Sequence, residues 1–176
     1  GTDPERFAVS PDGRRLFVAN EDHATASIID IAANKAVCEV PVGAEPEGVG
    51  ISPDGRTLIV TSETASTAHF IDPATCRLLD SVMVGNRPRA VLFLKGGREA
   101  WVSSEQRGTI SIFDPSTRRI VATIDLVAAL PQIDPVQAVE MVATRGERRV
   151  FVALGRGNHV AEIDPATRKV VRTFKV

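Results

Sequence analysis

The chain has 176 residues, 43% of them hydrophobic, with 21 basic and 22 acidic side chains. That is one domain's length, with enough apolar content for a core. A net charge of −1 gives no electrostatic footprint for nucleic acid or an anionic membrane, and no apolar run is long enough to span a bilayer.

In chain order, the sequence is four copies of one unit. Ser10-Pro11-Asp12-Gly13-Arg14 returns as Ser52-Pro53-Asp54-Gly55-Arg56, then as Leu94-Lys95-Gly96-Gly97-Arg98 and, degraded, as Thr144-Arg145-Gly146-Glu147-Arg148. The steps are 42, 42 and 50 residues. Ile29-Asp30, Ile71-Asp72-Pro73, Phe113-Asp114-Pro115 and Ile163-Asp164-Pro165 keep the same steps. The repeats therefore run 1–42, 43–84, 85–134 and 135–176, with eight extra residues in the third, around 127–134. The polar start Gly1-Thr2-Asp3-Pro4 has no Met and no apolar signal region, so the chain is expected to be processed or excised from something longer.

Each unit reads as four short strands. In the second they are Glu47 to Ile51, Thr57 to Thr61, Ala68 to Ile71 and Arg77 to Val84, rich in β-branched and apolar residues. The SPDG turn places Pro and Asp in a type I turn and Gly in a left-handed position. At Asp72-Pro73-Ala74-Thr75 an Asp side chain can accept from the backbone N–H groups ahead. The one helical candidate, Leu126 to Leu130, is short and ends at Pro131.

Four such strands in about 40 residues make a β-propeller blade. Both blade faces are apolar, so each blade must stack between neighbours. In the first strands, Phe7 and Val9, Val49 and Ile51, Val91 and Phe93, and Met141 and Ala143 point one way. Ala8, Gly50, Leu92 and Val142 point the other way. The fold expected is all-β, with four blades of four antiparallel strands.

Pro46-Glu47-Gly48-Val49-Gly50-Ile51-Ser52-Pro53-Asp54-Gly55-Arg56, followed by a strand and "IDPAT", resembles the YVTN-type β-propeller repeat. The second strands read Phe17-Val18-Ala19-Asn20, Ile59-Val60-Thr61-Ser62, Trp101-Val102-Ser103-Ser104 and Phe151-Val152-Ala153-Leu154, with other bulky residues for the usual Tyr. "ANED", "PVGAEPEGVGISPDG", "VTSET", "RPR", "WVSSE" and "VFVALG" resemble the PQQ-dependent catabolism-associated β-propeller proteins. That resemblance implies a secreted or periplasmic bacterial protein beside a pyrroloquinoline-quinone alcohol oxidation system. The family's usual ring has seven blades. This chain is therefore expected to form an open arc belonging to a larger ring, in preference to a closed four-blade ring or two chains sharing one ring.

Candidate site residues fall on one face. With strands running down, up, down, up, the SPDG and IDPAT turns lie together, and the inter-blade links and the loops after the second strands lie opposite. Glu21, Glu63 and Glu105 occupy one repeat position there, and the fourth repeat has Gly155 and Arg156 instead. Glu5, Arg6, Glu47, Arg87, Arg89 and Glu140 lie nearer the expected channel, where opposite charges can pair across blades. A residue repeated in each blade is first of all a loop organiser. The alternative is a carboxylate ring for a cation or a basic partner. His23 and His159 sit by the second-to-third-strand loops. His69 lies in a third strand, where the other repeats have Ser27, Ser111 and Ala161. No histidine cluster forms, and no metal site is expected.

Cys38 lies in an outermost strand and Cys76 opens the next one. Outer edges of adjacent blades splay, so separate thiols are expected rather than a disulfide. No GxSxG, HExxH or P-loop occurs, and Trp101 is the one Trp. The expected function is a non-catalytic binding or scaffold protein with no cofactor. Its partner would be a protein of the quinoprotein system or a small ligand on the loop face. The alternative is a propeller enzyme or redox cofactor domain, lactonase-like or similar to the haem d1 and nitrous-oxide reductases. Phe7, Val9 and Val49 predict bare apolar patches at the ends of the arc and possible self-association.

Overall fold

The computed structural model describes residues 1–176. Each repeat closes into one antiparallel sheet with its strands in sequence order. Blade 1 holds β1 (Pro4–Val9), β2 (Arg15–Asn20), β3 (Thr25–Asp30) and β4 (Lys35–Pro41). Blade 2 holds β5 (Pro46–Ile51), β6 (Leu58–Ser62), β7 (Thr67–Asp72) and β8 (Arg77–Met83). Blade 3 holds β9 (Pro88–Leu94), β10 (Glu99–Ser104), β11 (Thr109–Asp114) and β12 (Arg119–Asp125). Blade 4 holds β13 (Met141–Ala143), β14 (Val150–Ala153), β15 (His159–Asp164) and β16 (Lys169–Lys175). No helix is long and apolar enough to cross a membrane.

The turns use the chemistry the sequence carries. Asp54 accepts from the Ser52 hydroxyl at 2.6 Å and from Arg56 N at 3.1 Å, and Gly55 takes φ +72°. Asp72 accepts from Ala74 N at 2.8 Å, and Cys76 ends that turn at φ +57°. Asn34, Arg118 and Arg168 occupy the same left-handed position in the other blades. Each outermost strand carries a bulge against its neighbour, which leaves Val37, Leu79, Val121 and Val171 facing solvent. A bulged edge is a poor template for pairing with another strand.

Every blade has a front face and a back face, and the core lies where one meets the other. Phe17, Ala19, Ala26 and Ile28 on the back of blade 1 pack against Val49, Leu58, Val60 and Ile71 on the front of blade 2. Ile59, Ala68 and Phe70 meet Ala100, Val102 and Phe113 at the second junction, where the Phe70 and Phe113 rings cross edge to face. The third junction is the largest. The extra residues fold as helix α1 (Leu126–Ala129), capped by the Asp125 carboxylate accepting from Ala128 N. Leu126, Leu130, Ile133 and Val136 then join Trp101, Ile112, Met141 and Val152 in one buried cluster. The insertion thus thickens this junction.

Two expectations are corrected. Val49 is buried, because it lies on the front of blade 2, which blade 1 covers. The bare end patches are instead Phe7 and Val9 on blade 1 and Val142 and Phe174 on blade 4, with Phe7 66% and Val142 60% exposed. Cys38 and Cys76 are joined as a disulfide, with Cα atoms 6.5 Å apart. The outer strands do splay, but Cys76 belongs to the turn before β8, and its left-handed backbone aims the side chain back at β4.

The bridge closes a loop of 38 residues, for which chain entropy gives roughly 4 kcal/mol. We expect Cys38→Ser with Cys76→Ser to lower the urea midpoint by the equivalent of about 2–4 kcal/mol. An unchanged midpoint, with or without reductant, would show that blades 1 and 2 do not depend on the staple.

Candidate functional site

The links between blades place the repeated glutamates. Glu21 N donates to Asp3 O at 2.9 Å, Glu63 N to Glu45 O at 2.8 Å and Glu105 N to Arg87 O at 2.8 Å. In each case the strand end is tied to its own blade's incoming link, which makes the position a loop organiser.

The side chains at this position then go different ways. Glu63 and Glu105 converge on blade 3's arginines. Arg89 Nη1 lies 2.6 Å from Glu47 Oε1 and 2.7 Å from Glu63 Oε2, and its Nε is 3.7 Å from Glu105 Oε2. Arg87 pairs with Glu63, and its Nε is 3.4 Å from Glu105 Oε2. Three carboxylates and two guanidiniums from blades 2 and 3 therefore form one network at the channel mouth. Beside it, Thr64, Ser66, Asn86 and Gln106 complete a pocket of about 170 Å³ with Glu63 and Arg87.

Burial raises the Glu47 carboxyl above its ordinary value, and the nearby Arg89 charge offsets this only in part. Arg89 is pulled down by burial, but the Glu63 hydrogen bond and the charges of Glu47, Glu63 and Glu105 leave it raised overall. Both shifts mark a network held partly out of water.

Glu21 is not part of it. Of blade 2, Glu47 lies close enough for its charge to act on Glu21, and blade 2 carries Glu45 and Glu47 where blade 3 has Arg87 and Arg89. Glu21, half-buried, instead lies with the exposed Asp3 and Glu5, one carboxylate oxygen of each within 4.8 Å of the others. A hydrogen bond with Glu5 raises the Glu21 carboxyl, and burial and the charges of Glu5, Asp3 and Glu47 add to it. The three-blade carboxylate ring for a cation is thereby corrected: Glu63 and Glu105 are engaged by arginine, and Glu21 stands apart.

The other candidates scatter. Arg6 reaches from β1 to pair with Glu140 at the start of blade 4. His23 is exposed in its turn. His159 Nδ1 lies 2.6 Å from Gly157 O, and Arg156 N donates to Gln137 Oε1 at 3.0 Å.

Sequence reasoning left the partners of several link and junction contacts unnamed. His69 bonds a neighbouring loop. Gly43 N donates to its Nε2 at 3.0 Å, so Nδ1 carries the proton toward Ser81 Oγ, 2.8 Å away. The ring thus latches blade 2 to its incoming link. Thr61 Oγ1 accepts from Gly48 N and donates to Pro88 O at 3.0 Å, and Ser103 repeats the device to Val139 O at 2.8 Å. Trp101 is fully buried and donates from Nε1 to Glu99 at 3.0 Å, while Lys95 and Arg168 hold the other Glu99 oxygen. Asp3 was also missed, because it sits before the first recognisable repeat feature.

No family model matches the chain, and no curated protein matches it. Its fold is similar to that of the solved hydrazine synthase from Kuenenia stuttgartiensis, with a TM-score of 0.88 at 22% identity. The likeness covers 98% of this chain and 49% of that one, so this chain spans about half of the solved chain. In all, 1426 solved chains resemble this fold, and a fold so widely used selects no single chemistry.

Two tests follow from this geometry. Arg89→Ala leaves Glu47 and Glu63 without their shared cation, and we expect a loss of about 3 kcal/mol in denaturant unfolding. A cost within error would mean that the network is solvated. Burial lowers His69 from 6.5 to about 4. Between those values the unfolded chain binds a proton that the folded one refuses, so stability is full above pH 6.5 and falls toward pH 4. The loss should be on the order of 2 kcal/mol. His69→Ser should flatten the pH dependence of the unfolding midpoint in that window, and an unaltered slope would show that His69 does not cause it.

Proposed function

We propose that this chain is a non-catalytic binding or scaffold module of the YVTN type. It acts in the periplasm or outside the cell, beside a PQQ-dependent alcohol-oxidation system. The network of Arg87 and Arg89 with Glu47, Glu63 and Glu105 carries this reading. Each carboxylate in it lies against Arg87 or Arg89, an arrangement that suits a structural and partner-facing role, although the Nε of both arginines has no hydrogen-bond partner. The Cys38–Cys76 bridge suits an oxidising compartment. Trp101, the one Trp, lies inside the blade 3–4 junction and offers no ring for stacking a quinone.

The surface charge supports a basic partner. Asp3, Glu5 and Glu21 add negative charge beside the near-balanced network. The loop face therefore suits a basic patch on another protein of the quinoprotein system. Charges at such a rim steer and orient a partner more than they add affinity.

A second reading rests on the Asp3, Glu5 and Glu21 oxygens, which are close enough to share a cation. It makes the chain a metal-dependent propeller enzyme. Elemental analysis and an absorption spectrum of the purified protein separate the two. Stoichiometric metal or a Soret band would overturn the scaffold reading. Calorimetry against a PQQ-dependent alcohol dehydrogenase tests the partner. We expect salt-sensitive binding, weakened about tenfold by Glu5→Gln with Glu21→Gln. No heat of binding for the unaltered protein would refute this partner.

A further inference from the structure

The face that carries the SPDG and IDPAT turns holds a cavity at the first blade junction. Its volume is about 480 Å³, within the range of small-molecule clefts, about 300–1,000 Å³. Asp12, Arg14, Arg15 and Asp30 line it from blade 1, and Asp54 lines it from blade 2. Two of its eleven lining residues are hydrophobic, so it suits a polar occupant. Its walls are the back of blade 1 and the front of blade 2, away from the uncovered front of blade 1 and back of blade 4.

The other two junctions are tighter at the same place. At the second, a Cβ on Gly97 would lie 3.1 Å from the Pro53 ring, against 3.7 Å for Gly55 and Pro11 at the first. At the third, Glu99 stands where blade 1 has Arg15, and Lys95, Arg168 and the Trp101 indole hold it. Glu147 of blade 4 then reaches back to Lys95 N. At the first junction the walls are held in place around the open space. Arg15 donates to Pro73 O, and the Cys38–Cys76 bridge secures the turn that carries Pro73. Walls fixed in advance lower the ordering cost of binding.

The charges around the cavity are free. No ion pair joins any of the five charged side chains to another or to the rest of the protein. One oxygen of each aspartate organises its own turn. Oδ1 of Asp12 accepts from Arg14 N, that of Asp30 from Ala33 N and that of Asp54 from Arg56 N. The second oxygen of each remains available. The three aspartates do not form a group that could share a metal ion, and against two arginines they leave one negative charge in excess. We propose that this cavity binds an amino acid with a cationic side chain. Its carboxylate lies against Arg14 and Arg15, since a guanidinium fork matches a carboxylate. Its ammonium group and side-chain cation lie against Asp30 and Asp54. The cavity is opposite the loop face, so it stands or falls independently of the proposed function.

Calorimetry with L-arginine tests the site, beside agmatine, the same molecule without the carboxylate. We expect one L-arginine per chain and agmatine bound about tenfold more weakly. Arg14→Gln should weaken L-arginine by a similar factor without weakening agmatine. Asp30→Asn with Asp54→Asn keeps each Oδ1 as the acceptor its turn needs, and a preserved circular dichroism spectrum checks the fold. This variant should weaken both ligands about tenfold or more. No heat with L-arginine, equal affinity for agmatine, or unaltered affinity in the folded aspartate variant would overturn the proposal. So would a loss caused instead by Glu5→Gln with Glu21→Gln, which would place the ligand on the loop face.

Discussion

Phe17 and Ile28 of one sheet lie against Val60 and Ile71 of the next, and the same two kinds of face meet at all three junctions. A four-stranded sheet with two apolar faces cannot leave either in water without losing most of its stabilisation, about 25 cal/mol for each Å² left uncovered. Stacking is therefore the condition under which any blade forms. The rest of the molecule adjusts the angle and register of that stacking or decorates its rims.

Apolar burial is non-directional and does not fix register by itself. Polar contacts at the inner and outer rims add direction. At the channel they are the hydroxyl latches of Thr61 and Ser103. At the outer edge one position holds a disulfide at the first junction and an Asp80–Arg118 pair at the second. At the third junction, Ala122 leaves Arg168 free to bond Glu99. The left-handed turn residue bridges to the preceding blade at each junction, and the partner and chemistry of that bridge vary. The two ends of the molecule reflect the same rule: blade 1 keeps an apolar front, and blade 4 carries a charged cluster in the middle of its back.

The periodic features were legible in the sequence because they depend on local chemistry. SPDG turns, strand alternation and the 42-residue step need only neighbours along the chain, and they place all four sheets. Contacts between blades depend on angles that no local pattern encodes. The cysteines were misread for this reason: their strands splay, but a left-handed turn residue closes the gap. Glu21 shows the limit at the site. Its repeat position matches Glu63, yet the next blade offers it glutamates where Glu63 finds arginines. The "RPR" of the third repeat against the "EPE" of the second was the available signal, and it becomes readable only once adjacent blades are known to touch there.

That difference also gives the loop face its polarity. Between blades 2 and 3 the carboxylates are matched by Arg87 and Arg89. Beside blade 1, Asp3, Glu5 and Glu21 repel one another, with Glu47 adding to the field at Glu21. In blade 4 the acidic series gives way to Gly155 and Arg156. A repeat-symmetric ring of charge would orient nothing, because each blade would present the same surface. Here the potential runs from negative at blade 1, through neutralised ground, to a cationic side chain at blade 4. A face with that gradient would hold a charged partner in one rotation, which is what the proposed scaffold role would require.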